Sequence, residues 1–200
     1  MSSDTLELDK HAQDLLFREA RTANSFAQEP VEDEQIRAIY DLVKYAPTSA
    51  NQQPLRVVLV RSAEARERLL PHMSEGNRPK TASAPLVAIL AADVDFHDEL
   101  PRLFPHRQGM REAFDANEEG REASARLNAT LQVAYFILGV RAAGLAAGPM
   151  TGLDPAGVDQ EFFPDGRHRT LVVVNIGKPG ENAWFERLPR LEYDEVVTTV

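Results

Sequence analysis

The chain has 200 residues, 43% of them hydrophobic and 26% charged, which suits one domain with a sizeable core or a subunit that completes its core in a dimer. Its formal net charge of −9 repels phosphate and argues against nucleic acid or an anionic membrane as a partner. Cysteine is absent, which removes disulfides, thiolate nucleophiles, cysteine-ligated zinc and iron–sulfur clusters together.

The first ten residues are polar and acidic, unlike a secretory signal, and a cytoplasmic location is expected. Leu15, Leu16, Ala20 and Ala23 recur at helical spacing and predict a first helix over 10–23, followed by a basic, polar corner from Arg21 to Phe26. Pro30 breaks the chain. Ile36, Ile39, Tyr40 and Val43 then mark the apolar face of a second helix over 32–45, with acidic residues in its first turn. Ala46-Pro47 stops it. The stretch from Ala46 to Pro54 is polar but uncharged. Hydroxyls and carboxamides there both donate and accept hydrogen bonds on a backbone stiffened by prolines. Taken alone, it reads equally well as a polar loop or as a wall for a neutral heteroaromatic ligand.

Leu55 to Val60 predicts a strand, and 63–73 a short helix with a solvated face. Residues 74–84 read as a polar connection. Residues 85–92 are continuously apolar, as in a central strand covered on both faces. Residues 93–120 read as irregular and charged. The longest helix is expected over 122–144, closed by Gly144. Its half from Leu131 to Leu138 is apolar all round, which predicts burial in a core or between two subunits and favours a dimer. Its most apolar run, Leu131 to Val140, is too short to span a bilayer. A glycine-rich bend follows over 145–152, then a helix over 154–163 with Asp154 as N-cap, and a strand over 169–176. The whole predicts a single domain over 1–200, of α/β or α+β class, with a sheet flanked by helices.

The five histidines do not stand at metal-ligand spacing, so no metal is expected. Gly-x-Ser-x-Gly, Gly-x-Gly-x-x-Gly and the phosphate-loop pattern are all missing. Arg21 with Thr22 offers a planar fork of donors and a hydroxyl for a phosphate, but local sequence favours a solvated arginine at a helix end. Arg187, Arg190, Asn77 and Lys80 read locally as surface residues in the same way.

In order, however, these pieces form a pattern. Ala20-Arg21-Thr22-x-Asn24 is followed by Ala46-Pro-Thr-Ser-Ala-Asn51, then Asn77-x-x-Lys80, Gly148-Pro-Met-Thr-Gly152, Asn175-Ile-Gly177 and Arg187-Leu-Pro-Arg190. This resembles the flavin-dependent nitroreductase family over almost the whole chain. The segment Leu100-Pro-x-Leu-Phe-Pro-His106 and Asn24 are most similar to its malonic semialdehyde reductase branch, in Rut pyrimidine degradation.

The resemblance implies an intertwined homodimer with two FMN sites at its interface. Arg21, Thr22 and Arg187 would hold the FMN phosphate, with Arg190 as a helper. Thr48, Ser49, Asn51 and Gln53 would come from the partner subunit and line the flavin. Asn77 would meet the pyrimidine edge, and the backbone N–H groups of Thr151 and Gly152 would approach N5. Asn24 stands where many relatives carry a cation near N1 and O2, which weakens stabilisation of the reduced anion unless Lys80 compensates. The implied reaction is ping-pong hydride transfer from NADH or NADPH through the flavin. Malonic semialdehyde is the implied acceptor and 3-hydroxypropanoate the product, with Arg111 for its carboxylate and His106 as proton donor or lid. A general nitroarene or quinone reductase and a non-enzymatic flavin-binding dimer are the alternatives.

Overall fold

A computed structural model of the chain describes residues 6–200. The first half of the polar leader therefore lies outside the described residues.

Four strands form one antiparallel sheet in the order β1-β2-β4-β3: β1 (Leu55–Val60), β2 (Leu86–Asp93), β3 (Ala146–Met150) and β4 (His168–Gly177). The two longest strands lie at the centre. Every residue of β2 is buried, as its unbroken apolar run requires. Side-chain alternation then gives β2 two different neighbours. Val87, Ile89 and Ala91 join Leu69, Met73 and Val158 in one core, while Leu86, Ala88 and Leu90 join Ile39, Phe136 and Val140 in another.

The first core is covered by α3 (Ala63–Leu69) and α8 (Pro155–Phe162), the second by α2 (Asp33–Val43) and α7 (Glu118–Ala142). α2 starts in a capping box, with Glu32 and Gln35 each accepting from the other's backbone N–H. It crosses α7 closely at Gly139, where a Cβ would sit 2.6 Å from Val43. Gly144, at φ +69°, takes the left-handed turn that ends α7.

Five expectations need correction. The first helix is short: α1 (Lys10–Gln13) passes into a π-turn over Asp14–Arg18 and stops. Residues 20–27 leave the helix instead, because their backbone groups find partners elsewhere: Ala23 N–H donates to Ala147 O and Asn24 N–H to Ala183 O. The supposed bend at 145–152 contains β3. The polar connection at 74–84 contains α4 (Arg78–Ser83). The irregular stretch at 93–120 holds α5 (Leu100–Leu103) and α6 (Met110–Asp115), packed around Phe96 and Leu100. Asp154 occupies the N-cap position of α8 without making a side-chain cap bond. A last helix, α9 (Tyr193–Val196), lies in the exposed tail.

In a single chain α7 is buried along one stripe only, and Leu127 and Leu131 stay exposed. Tyr40 and Tyr45 at the end of α2 and Phe185, Leu188 and Leu191 in the tail are exposed as well. Among the described residues no helix is long and apolar enough to cross a membrane.

The buried carboxylate of Asp93 ends β2. It lies 2.7 Å from Arg56 Nη2 and 2.7 Å from Arg167 Nε. Its backbone N–H also donates to Pro54 O, which anchors the entry to β1. Asp93→Ala removes the carboxylate shared by two guanidiniums, each about one-third exposed and each still bonded to backbone carbonyls. Because water screens them in part, the expected loss is about 2–4 kcal/mol, read as a lower urea midpoint at unchanged m-value.

Candidate functional site

Residues 20–27, the end of β3, the turn into α4 and the tail meet at one place. Arg21 Nη1 donates to Phe185 O at 3.3 Å, and Arg187 Nη2 donates back to Ala20 O at 3.4 Å and also to Arg18 O. The two guanidiniums thus link the same two segments, 18–21 and 185–187. Arg21 Nε is buried and has no hydrogen-bond partner, so a donor stands unused where an anion would satisfy it. Asn24, Lys80 and Phe185 line one shallow cavity, so a cation shares that cavity with Asn24. Thr22 is exposed, and its carbonyl accepts from Asn24 Nδ2 at 3.3 Å.

Next in this arc comes Gly152. Its carbonyl accepts from Ser74 N–H and from Asn77 Nδ2, both at 2.9 Å. A Cβ here would lie 2.7 Å from Asn77 Nδ2 and 2.8 Å from Ser74 Oγ, so a side chain would push both of these polar groups aside. Thr151 and Gly152 are both exposed. Asn77 already spends an amide hydrogen on Gly152, which leaves its Oδ1 as the group for a ligand's N–H.

The stretch at 48–53 lies elsewhere. It leads into β1, at the opposite edge of the sheet from β3. Three strand spacings, about 14 Å at about 4.8 Å each, separate those edges. Ala50 (φ 48°), Asn51 (φ 51°) and Gln53 (φ 45°) all take left-handed backbone. That costs about 1–2 kcal/mol per residue, least for asparagine, and must be held by surrounding bonds. Thr48 Oγ1 accepts from Gln53 N–H, Gln53 Nε2 donates to Asn51 Oδ1, and Asn51 Nδ2 reaches Leu103 O at 2.9 Å. The last bond ties this wall to α5. Ser49 keeps an exposed side chain. A groove of about 550 Å³ runs beside Gln53, walled by Tyr40, Lys44, Arg102 and Tyr135.

Arg111 is ion-paired with Asp98 (Nη2–Oδ1 2.9 Å), which raises the guanidinium's pKa further. His106 is exposed and meets Phe104 edge-on at 5.6 Å. Arg190 bonds only nearby tail carbonyls, those of Leu188 and Pro189, and stands apart from the Arg21–Arg187 pair. No cluster of three or more metal-ligating side chains occurs among the described residues.

Sequence reasoning passed over Gln52 and Asn128. Both are buried, and both hold the wall. Asn128 Oδ1 accepts from Ser49 N–H at 2.7 Å, and its Nδ2 donates to Gln52 Oε1 at 3.1 Å. The available signal was Ser124, Asn128 and Gln132, three uncharged polar residues four apart along α7.

The nitroreductase family model matches residues 17–178. A protein of Streptomyces griseus subsp. griseus named "Putative NADH dehydrogenase/NAD(P)H nitroreductase" is 68% identical over 196 residues, 98% of this chain and 100% of the relative. One of the same name from Leptothrix cholodnii is 49% identical over 190 residues, 95% of this chain and 96% of the relative. The crystal structure of a "putative nitroreductase in complex with FMN" from Exiguobacterium sibiricum has a TM-score of 0.83 at 18% identity, covering 98% of this chain and all 100% of its own. That of a nitroreductase family protein from Streptococcus pneumoniae has a TM-score of 0.80 at 21% identity, covering 92% of this chain and 98% of its own. These two share the fold.

Proposed function

This chain belongs to the nitroreductase family, and from that membership we propose an FMN-dependent NAD(P)H oxidoreductase that works as a homodimer and reduces small acceptors by ping-pong transfer. The observation that carries the reading is the division of the site. The cradle (Arg21, Asn24, Asn77, Lys80, Gly152, Arg187) and the wall (Thr48, Ser49, Asn51, Gln53) stand at opposite sheet edges, and apolar surface on α2, α7 and the tail is uncovered. Two chains packed on that surface would bring one chain's wall to the other's cradle.

Bound FMN supplies a two-electron hydride acceptor and donor at its N5. Arg21 and Arg187 bind the phosphate, and the unused Nε of Arg21 fits that role. Lys80 lines the same cavity as Asn24 and would offer the positive charge that Asn24 lacks. The open Gly152 cradle lets the ring approach the backbone, and Asn77 accepts from the ring edge. The wall excludes water from one side. Nicotinamide and acceptor would use the site in turn.

Nitroarenes and quinones are the acceptors this geometry supports best, since Arg111 is already engaged by Asp98. Malonic semialdehyde, giving 3-hydroxypropanoate, is the second reading. It is favoured by Arg102, Arg107 and Arg111 on the segment that Asn51 ties to the wall. The purified protein should be yellow, and anaerobic NADH or NADPH should bleach it; colourless protein that takes up no FMN overturns the proposal. Reoxidation by a nitroarene, a quinone and malonic semialdehyde then ranks the acceptors. On the second reading, Arg111→Ala lowers kcat/KM for the carboxylated aldehyde about tenfold or more, the size of one lost charge-assisted contact, and spares the quinone. Equal losses on both remove the role of Arg111.

A further inference from the structure

The wall loop is strained and exposed, yet it must present fixed hydrogen-bonding groups. What holds it is a polar stripe on α7. Ser124, Asn128 and Gln132 stand four apart and so face the same way. Ser124 Oγ donates to Gln52 Oε1 at 3.0 Å, and Asn128 Nδ2 donates to the same oxygen at 3.1 Å and to Ser124 O at 2.9 Å. Asn128 Oδ1 takes the N–H of Ser49 at 2.7 Å, just before the first left-handed residue. Gln132 Oε1 takes the N–H of Leu55 at 2.9 Å, just after the last. The left-handed residues Ala50, Asn51 and Gln53 are therefore bracketed by two backbone anchors from one helix, with Gln52 pinned between them.

We propose that Asn128, with Gln52 and Ser124, is the positioning device of the wall: it keeps 49–53 in its left-handed form before flavin arrives, and so sets flavin affinity in the partner's site. None of the three need touch the cofactor. Asn128 and Gln52 are 2% exposed each, so their bonds are not traded for water in the folded chain. Without Asn128 the N–H of Ser49 and the carbonyl of Gln52 each lose a partner, and the loop relaxes toward ordinary backbone. The proposal rests on the flavin reading above and adds where that site's preorganisation resides.

The test compares Asn128→Ala and Ser124→Ala with Val60→Ala, a core cavity variant at the far end of β1. All three should lower Tm. The direct readouts are the Kd for FMN and the visible circular dichroism of the bound flavin, measured on dimeric apoprotein. Asn128→Ala should raise Kd at least tenfold and change the dichroic spectrum. Ser124→Ala, which leaves the Ser49 anchor intact, should raise it about threefold, and Val60→Ala should leave both unchanged. A lower Tm for Asn128→Ala with wild-type Kd and spectrum would make Asn128 merely structural and overturn the proposal. So would a Val60→Ala effect on Kd as large as that of Asn128→Ala. Wild-type protein that fails to bind FMN overturns the flavin reading itself, a result separable from either.

Discussion

Gly148→Ala destabilises the chain by about 2–3 kcal/mol and weakens FMN binding by more than the lost stability alone would cause. A Cβ at Gly148 would stand 2.7 Å from the backbone oxygen of Ala23 and 3.3 Å from Phe26 Cζ. A flexible side chain would swing aside, but a backbone carbonyl cannot. Ala23 is held by its N–H bond to Ala147 O, and its neighbours by the bonds from Asn24 to Ala183 and from Ala27 to Lys178. Residues 20–27 must therefore retreat as a unit and take Arg21 and Asn24 with them. Thermal melting and FMN titration check both effects. Val158→Ala, a cavity variant in the first core, should lower Tm comparably and leave affinity in the folded protein alone. A Gly148→Ala protein of wild-type Tm and FMN affinity would show that 20–27 has slack that its backbone bonds deny.

That same glycine shows why β3 was hard to read. Ala146-Ala-Gly-Pro-Met150 has no β-branched residue, and its glycine and proline look like turn formers. It is a strand because β4 offers it a partner and because residue 148 must have no side chain. β1, β2, β4, α2 and α7 were legible because each carries a local signal: an apolar run, an amphipathic period or an acidic first turn. α4 carries none, since its residues Arg78 to Ser83 are nearly all polar and it packs only Thr81 inward. The short first helix failed for a different reason. Its apolar spacing continues to Ala23, but the backbone beyond Arg18 finds better partners in β3 and the tail than in a continued helix.

Within the candidate site, family resemblance pointed to residues that stand in motifs. Sequence did not find the groups behind them. Gln52 sat between two residues of greater apparent interest, and Asn128 stands among the many charged and polar residues in the first half of α7. Their importance is a matter of distance in space: they lie 76 residues apart and share one hydrogen bond. Nor does sequence show that the motifs fall into two groups on opposite edges of the sheet. That follows from strand order, which the spacing of motifs along a chain does not encode.

Strand order also decides the last expected result. Arg21→Ala/Arg187→Ala removes the two arginines proposed to hold the phosphate, and Ser49→Trp fills the space before the wall. Each variant alone should form a dimer with almost no reductase activity, a loss of roughly a hundredfold or more for two charge-assisted contacts or a blocked site. Mixed by co-expression, the two chains should recover activity. In a mixed dimer one site combines both lesions, and the other combines the intact cradle of one chain with the intact wall of its partner. Random pairing makes half of all dimers mixed with one good site each, so about a quarter of wild-type activity should return. A site built within one chain predicts no recovery at any mixing ratio, because every chain then carries its own lesion. The experiment thus reads the division of the site directly, and it does so whichever acceptor the enzyme uses.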